Sequence, residues 1–150
     1  MILLAALMAA SMPAADEAAI FHAAGFTRTG AHWRGSCGDS ARSYRPASIG
    51  TYRDINGDGK PDAIVNEGSH ACYGEQGSRF WLLSKDAKGA WRLMFTKTGT
   101  PEFVPNTRSR GWPFLTVTGP GLCFPVYQWN GRGFTIRTFE HNGVRCKGPH

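Results

Sequence analysis

The sequence predicts a mainly β fold of about seven antiparallel strands in two quasi-equivalent units, preceded by one short helix. Glycine and proline account for 19 and 9 of the 150 residues, which indicates frequent turns and excludes a helical bundle. Short runs rich in aromatic and β-branched residues recur between these turns. With 41% hydrophobic and 19% charged residues, the chain has the composition of one ordinary globular domain.

The N-terminal segment has the form of a secretory signal over residues 1–15. An apolar stretch from Ile2 to Ala10 precedes small residues and the first charge at Asp16, which predicts cleavage near Ala14 or Ala15. No Lys or Arg precedes Arg28, so the basic n-region of a signal is missing, and a buried N-terminal helix is the alternative. The apolar run is shorter than the ~20 residues that span a bilayer, and we expect no membrane span. A single β-rich domain over residues 16–150, periplasmic or secreted, is the expected mature form.

The predicted helix begins at Asp16 and ends before Gly25, a residue common at helix C-termini. Asn130 and Gly131 favour a tight hairpin turn, and residues 85–90 favour a longer one. The predicted strands are Ile49 to Arg53, Asp62 to Asn66, Phe80 to Ser84, Trp91 to Thr96, Leu115 to Thr118, Phe124 to Trp129 and Phe134 to Phe139.

An internal repeat relates the two halves of the chain. Each copy has a Gly-x-Pro sequence, two apolar residues, a glycine and a cysteine, and an aromatic-rich hairpin follows. This pattern predicts two antiparallel units packed side by side, with Cys72 and Cys123 at the ends of equivalent strands. The two copies are Gly59-Lys60-Pro61, Ile64, Val65, Gly68 and Cys72, and Gly111-Trp112-Pro113, Leu115, Val117, Gly119 and Cys123.

Four cysteines, at Cys37, Cys72, Cys123 and Cys146, lack the short paired spacing of structural zinc sites. Two disulfides, in any of three pairings, agree with export into an oxidising compartment, and four free thiols are the alternative.

The net charge is +6 and arises from twelve arginines and five lysines against eleven acidic residues. The densest basic set is Arg108 and Arg110, with Arg132 and Arg137 further along the chain. It lacks the continuous basic run of a nucleic-acid-binding arm, so no nucleic acid is expected. An anionic envelope polymer or a protein partner fits the charge, and a merely solvated basic surface is the alternative.

The segment of residues 54–62, DINGDGKPD, places oxygen-bearing side chains at loop positions one, three, five and nine. A hard cation such as calcium prefers six to eight oxygen ligands, and it would relieve the repulsion among three nearby carboxylates. The loop resembles the calcium loops of FG-GAP and VCBS-type repeats, which follow D-x-[DN]-x-D-G-x-x-D and lead directly into a short apolar strand. No glutamate stands at loop position twelve, unlike in an EF-hand.

That resemblance implies Ca²⁺ as the cofactor and two units similar to β-propeller blades. The implied ligands are Asp54, Asn56, Asp58, the Lys60 carbonyl and Asp62. The second copy of the repeat has no acidic ligands, and the length excludes a propeller of seven blades. An Asx-rich turn without an ion is the alternative.

We expect a non-enzymatic, calcium-binding, disulfide-stabilised domain that binds an envelope component or a protein, including an inhibitor or immunity role. The alternative is a small cell-wall hydrolase that uses exposed carboxylates such as Glu67 and Glu75. An adhesion module is a third possibility. Gly38-Asp39-Ser40 only partly matches a hydrolase nucleophile block, and Cys37 is better assigned to a disulfide than to a nucleophile.

Overall fold

In the computed structural model, which describes residues 11–149, apolar side chains on both faces of a central sheet organise the chain into three layers. The described residues form eleven strands in three antiparallel sheets, with two α-helices and one 3₁₀ helix over Gly74–Gln76. The elements are α1 (Ala14–Ala23), β1 (Thr27–Thr29), β2 (His32–Arg34), β3 (Arg45–Arg53), β4 (Asp62–Gly68), α2 (His70–Tyr73), β5 (Ser78–Lys85), β6 (Trp91–Thr98), β7 (Thr100–Phe103), β8 (Leu115–Thr118), β9 (Phe124–Trp129), β10 (Phe134–His141) and β11 (Val144–Arg145).

The central sheet is an antiparallel meander in the order β3-β4-β5-β6. Successive side chains of a strand point to opposite faces, so Phe80 and Leu82 of β5 enter one core while Trp81 and Leu83 face the other. Burial on both faces explains the nearly continuous apolar run of β5.

The first core lies between the central sheet and a layer made of α1 and the β1-β2 hairpin. Ile20 and Phe21 of α1 are buried there. Asp16 fixes the start of the helix, because it accepts hydrogen bonds from Tyr52 Oη at 2.8 Å and Trp91 Nε1 at 3.3 Å. Its carboxylate also forms a 3.0 Å ion pair with Lys85 Nζ.

The second core lies between the central sheet and a five-stranded meander in the order β11-β10-β9-β8-β7. Ile64 and Leu82 of the central sheet contribute to this core, as do Leu115 and Tyr127 of the second sheet. Only Gly99 separates β6 of one sheet from β7 of the other. The chain therefore completes one meander before it begins the next.

The mainly β prediction is confirmed, whereas the count of about seven strands is too low. The additional strands β1, β2, β7 and β11 are two to four residues long, and β3 begins at Arg45 rather than Ile49. The two units are unequal meanders of four and five strands, which differ in detail from a pair of propeller blades. Within each unit, the repeated segment supplies the second strand, β4 or β8.

The placement of Cys72 and Cys123 at strand ends is wrong. Cys72 lies in α2, and Cys123 lies in the loop before β9. The pairing that the sequence left open is Cys37–Cys72 and Cys123–Cys146. Both disulfides are compatible with an oxidising compartment.

The predicted signal falls largely on residues 1–10, which lie outside the described residues. Ala14 and Ala15, where cleavage was expected, are the first residues of α1. Among residues 11–149, no helix has the length and apolar character needed to cross a bilayer.

Candidate functional site

The predicted calcium loop connects β3 to β4, and its polar side chains fold back onto the loop's own backbone. Asp54 Oδ1 and Oδ2 accept hydrogen bonds from two glycine N–H groups of the loop at 2.8 and 2.9 Å. Asn56 Oδ1 accepts from the N–H of Asp58 at 3.3 Å, and Asp58 Oδ1 accepts from the N–H of Lys60 at 2.8 Å. The alternating polar residues of the sequence therefore hold one tightly turned loop.

Asp62, the ninth residue of the loop, is the first residue of β4 and is fully buried. Its Oδ1 accepts a 2.5 Å hydrogen bond from Ser84 Oγ, and its Oδ2 accepts from the N–H groups of Ile55 and Asn56 at 2.7 and 3.2 Å. Burial raises the pKa of Asp62, and the charge of Asp58 adds to this effect, although the hydrogen bonds oppose it.

The donor chemistry of the loop suits a hard cation. Asp54 and Asp58 are exposed, and none of the three carboxylates forms an ion pair within residues 11–149. The Lys60 ammonium donates to the Asp86 carbonyl at 3.2 Å and forms no ion pair with a loop carboxylate. In the side-chain arrangement described for residues 11–149, however, no three Asp, Glu, His or Cys side chains converge as a metal-binding group.

The loop is braced against the second sheet by the segment between β7 and β8. Arg108 Nη1 donates to the Ile55 carbonyl at 3.1 Å and to the Gly111 carbonyl at 2.6 Å. A β-carbon added to Gly111 would lie 3.1 Å from the Asn56 carbonyl oxygen. The loop thus sits where the two meanders meet, so its conformation is tied to both sheets.

Glu67, which sequence analysis treated as an exposed carboxylate, is only 2% exposed. Its Oε2 accepts a 2.5 Å hydrogen bond from Tyr44 Oη, and its Oε1 accepts a hydrogen bond from Tyr73 Oη. Burial and the hydrogen bond to Glu67 raise the pKa of both tyrosines, that of Tyr44 to about 12. Glu75 is exposed in the 3₁₀ helix, so the two carboxylates named for the hydrolase alternative occupy unlike environments.

The segment around the first disulfide is held by side-chain hydrogen bonds. Ser69 Oγ donates to Asp39 Oδ2 at 2.7 Å and accepts from the N–H of Cys72 at 3.0 Å, which caps α2. Asp39 Oδ1 accepts from the N–H of Ala41 at 2.9 Å. Asp39 therefore organises this loop, and Cys37 is occupied in a disulfide.

Sequence reasoning missed the Tyr44–Glu67–Tyr73 cluster, because its residues belong to a loop, a strand and a helix with no shared local pattern. It identified the loop of residues 54–62, because the five implied ligands alternate along nine consecutive residues. No family model matches this chain, and no curated protein or solved structure matches it either.

Proposed function

We propose that the chain is an exported, disulfide-linked β domain that binds calcium in the loop of residues 54–62 and acts by binding a partner. The observation that carries the calcium assignment is a set of three carboxylates within nine residues, at Asp54, Asp58 and Asp62, none of them ion-paired within residues 11–149. In this proposal, Asn56 and the Lys60 carbonyl complete the oxygen ligands.

The role of the ion is structural. The loop contacts the segment before β8 through Arg108 and Gly111, so an ion bound there would hold the two meanders in register. Binding to the folded state alone stabilises it by mass action, by about 2.7 kcal/mol at a calcium concentration of 100 times Kd.

A binding role agrees with the surroundings of the two buried carboxylates. Asp62 and Glu67 accept their hydrogen bonds from groups of the fold itself, and both carboxylates are enclosed. A cell-wall hydrolase would need Glu67 to leave two tyrosine hydroxyls before it could reach a substrate. The partner in our proposal is an anionic envelope component or a protein, and inhibition of a hydrolase is one form of that role.

The calcium assignment is tested by thermal unfolding of the oxidised protein with calcium, with magnesium and with a chelator. Calcium should raise the midpoint, and the double variant Asp54→Asn/Asp58→Asn should lose that response. Glu17→Gln/Glu75→Gln is the matched control, because it removes two exposed acidic charges outside the loop and should leave the response intact. An identical midpoint with calcium and with chelator, together with no heat in calorimetric titration, overturns the assignment.

The hydrolase alternative makes a separate prediction, namely turnover of peptidoglycan or simple esters. Under that alternative, Glu75→Gln or Glu67→Gln abolishes activity. Under the binding role, the unaltered protein has no such activity at any calcium concentration.

A further inference from the structure

Three arginines that are distant in sequence lie on or beside neighbouring strands of the second sheet. Arg110 lies in the turn before β8, Arg132 in the β9-β10 turn, and Arg137 on β10. All three side chains are exposed, and together they form the arginine surface. Strand geometry places Arg137 about 10 Å along β10 from its first residue, Phe134.

Arg110 is held in an unfavourable backbone conformation. Its φ is +49°, in the left-handed region that side chains other than Gly, Asn and Asp rarely adopt. Gly111 follows with φ +92°, and a bridge between Ser109 and Trp112 closes this tight turn. Backbone strain of this kind persists where the surrounding structure enforces it, and it is concentrated at functional positions.

The side chain of Arg110 lies against the β9-β10 turn, immediately beside Arg132. A β-carbon added to Gly131 would lie 2.4 Å from Arg110 Nη1, so a side chain at this position would displace the Arg110 guanidinium from where it lies. Asn130 Oδ1 accepts hydrogen bonds from the N–H groups of Arg132 and Gly133 at 2.8 and 2.9 Å, which fixes the turn. The guanidinium of Arg110 thus lies against the turn that carries Arg132, which is 22 residues further along the sequence.

Arg137 is positioned by a separate set of contacts that leads back to the turn of Arg110. Its guanidinium lies 4.8 Å from the centre of the Phe114 ring, and its Nη1 donates to Gln128 Oε1 at 3.1 Å. Gln128 Nε2 donates in turn to Ser109 Oγ at 3.1 Å. An arginine stacked and hydrogen-bonded in this way loses little entropy when it binds an anion.

No carboxylate neutralises the arginine surface within the described residues. The two ion pairs of residues 11–149 join Lys85 to Asp16 and Arg92 to Asp86, and neither involves these arginines. Arg108 differs from the three, because it donates to backbone carbonyls beside the acidic loop and acts as a brace. The surface therefore presents three positive charges that no carboxylate of the described residues pairs with, and they are open to an external anion.

We propose that the arginine surface binds a linear polyanion whose phosphate or carboxylate groups repeat along the chain. The inference rests on the binding role proposed above and specifies its partner. Separate guanidinium groups spread over an exposed surface suit several anionic groups at intervals better than one small anion. Arginine also matches both phosphate and carboxylate oxygens with paired N–H donors.

The test is a titration of the oxidised full chain with fluorescently labelled polyphosphate, followed by anisotropy at several salt concentrations. The triple variant Arg110→Gln/Arg132→Gln/Arg137→Gln should weaken binding about tenfold or more. The plot of log affinity against log salt concentration should also become shallower, with the magnitude of its slope reduced by about 2 to 3. The control Arg28→Gln/Arg42→Gln/Lys88→Gln removes the same charge from exposed positions elsewhere and should bind almost as well as the unaltered protein.

A second variant separates binding from folding. Arg110→Gly relieves the strained φ, so it should maintain or raise the melting temperature while it weakens polyphosphate binding. If the role of Arg110 were purely structural, the melting temperature and the affinity for polyphosphate would both fall. Polygalacturonate in place of polyphosphate distinguishes a carboxylate polymer from a phosphate polymer.

Equal losses in the two triple variants, or binding only to an acidic polypeptide, overturn the arginine surface as a polyanion site. Such a result leaves the calcium response untouched. If calcium has no effect on the melting temperature but polyphosphate still binds, only the calcium assignment is overturned. If neither a polyanion nor an acidic protein binds, the binding role itself is overturned.

Discussion

Ser84 and Asp62 face each other across β5 and β4, and the Ser84 hydroxyl donates a 2.5 Å hydrogen bond to Asp62 Oδ1. The neighbouring strand therefore positions the last acidic residue of the proposed calcium loop. Asp62 is fully buried, so the loss of one donor is not compensated by bulk water.

Replacement of Ser84 by alanine should lower the free energy of unfolding by about 1 to 3 kcal/mol, because it leaves a buried carboxylate oxygen without its partner. Urea denaturation followed by circular dichroism measures the change. Ser40→Ala, at an exposed serine, is the control and should change stability by less than about 0.5 kcal/mol. Equal stability of the two variants would contradict the structural role assigned to Ser84.

The buried carboxylate of Glu67 depends in the same way on Tyr73. Tyr73→Phe removes the donor to Oε1 and should cost about 1.5 to 3 kcal/mol, the range for hydrogen bonds to charged groups. Tyr127→Phe is the control, because Tyr127 is more buried than Tyr73 but its hydroxyl makes no hydrogen bond within residues 11–149. Denaturation midpoints that coincide for the two variants would refute a role for the cluster in stability.

The stability of the fold should decrease in strongly alkaline solution. Burial and the hydrogen bond to Glu67 raise the pKa of Tyr44 from 10.0 to about 12. The unfolded tyrosine releases its proton first, so the folded state binds more protons above pH 10 and stability falls as the pH rises toward 12. Urea denaturation at pH 9 and pH 11 should show a smaller decrease in the free energy of unfolding for Tyr44→Phe than for the unaltered protein. An equal decrease in the two proteins would exclude Tyr44 as a source of the alkaline destabilisation.

Asp16 is the group whose protonation should lower the stability of the fold at low pH. Burial raises its pKa, but hydrogen bonds from Tyr52, Lys85 and Trp91 outweigh that effect and leave the pKa below its ordinary value. The stability contributed by Asp16 is therefore present above about pH 4 and is lost as the pH falls through the lowered pKa.

Asp16→Asn should accordingly destabilise the protein by about 1 kcal/mol at pH 7 and by less at pH 3. Glu17→Gln, at the exposed neighbour in α1, should change little at either pH. Chemical denaturation at the two pH values measures both effects, and a loss for Asp16→Asn that does not depend on pH would contradict this account.

Each disulfide should stabilise the fold independently. Loop-closure entropy predicts a loss of about 4 kcal/mol for Cys37→Ser/Cys72→Ser and about 3 kcal/mol for Cys123→Ser/Cys146→Ser, from separations of 35 and 23 residues. Peptide mapping of the non-reduced protein should recover both pairs. Peptides that join Cys37 or Cys72 to Cys123 or Cys146 would contradict the fold.

The parts of the fold predicted from sequence are those that local patterns encode. Phe80 to Leu83 is a continuous apolar run in a strand buried on both faces, and the Asn130-Gly131 turn has the chemistry of a tight hairpin. The strands that were missed are short and polar, as in Thr27–Thr29, or contain a proline, as in Thr100–Phe103. Their pairing depends on neighbours already in place rather than on their own propensity.

The candidate sites likewise differ in whether a local sequence pattern or contacts between distant segments form them. The loop of residues 54–62 could be predicted because its polar side chains alternate within nine residues. The arginine surface could not be predicted, although its arginines were noted, because the contact of Arg110 with the turn at Gly131 joins segments that are about 20 residues apart and share no local pattern. The enclosure of Glu67 depends on Tyr44, which lies 23 residues away in sequence.

The two disulfides join successive cysteines, the first to the second and the third to the fourth. When a chain is delivered N-terminus first across a membrane, its thiols meet the oxidant in that same order. An enzyme that simply joins each newly arrived thiol to the one before it would produce the native pairing, with no later reshuffling by an isomerase. For a chain exported in this way, Cys37 and Cys72 would both be available for pairing before the second meander crosses the membrane.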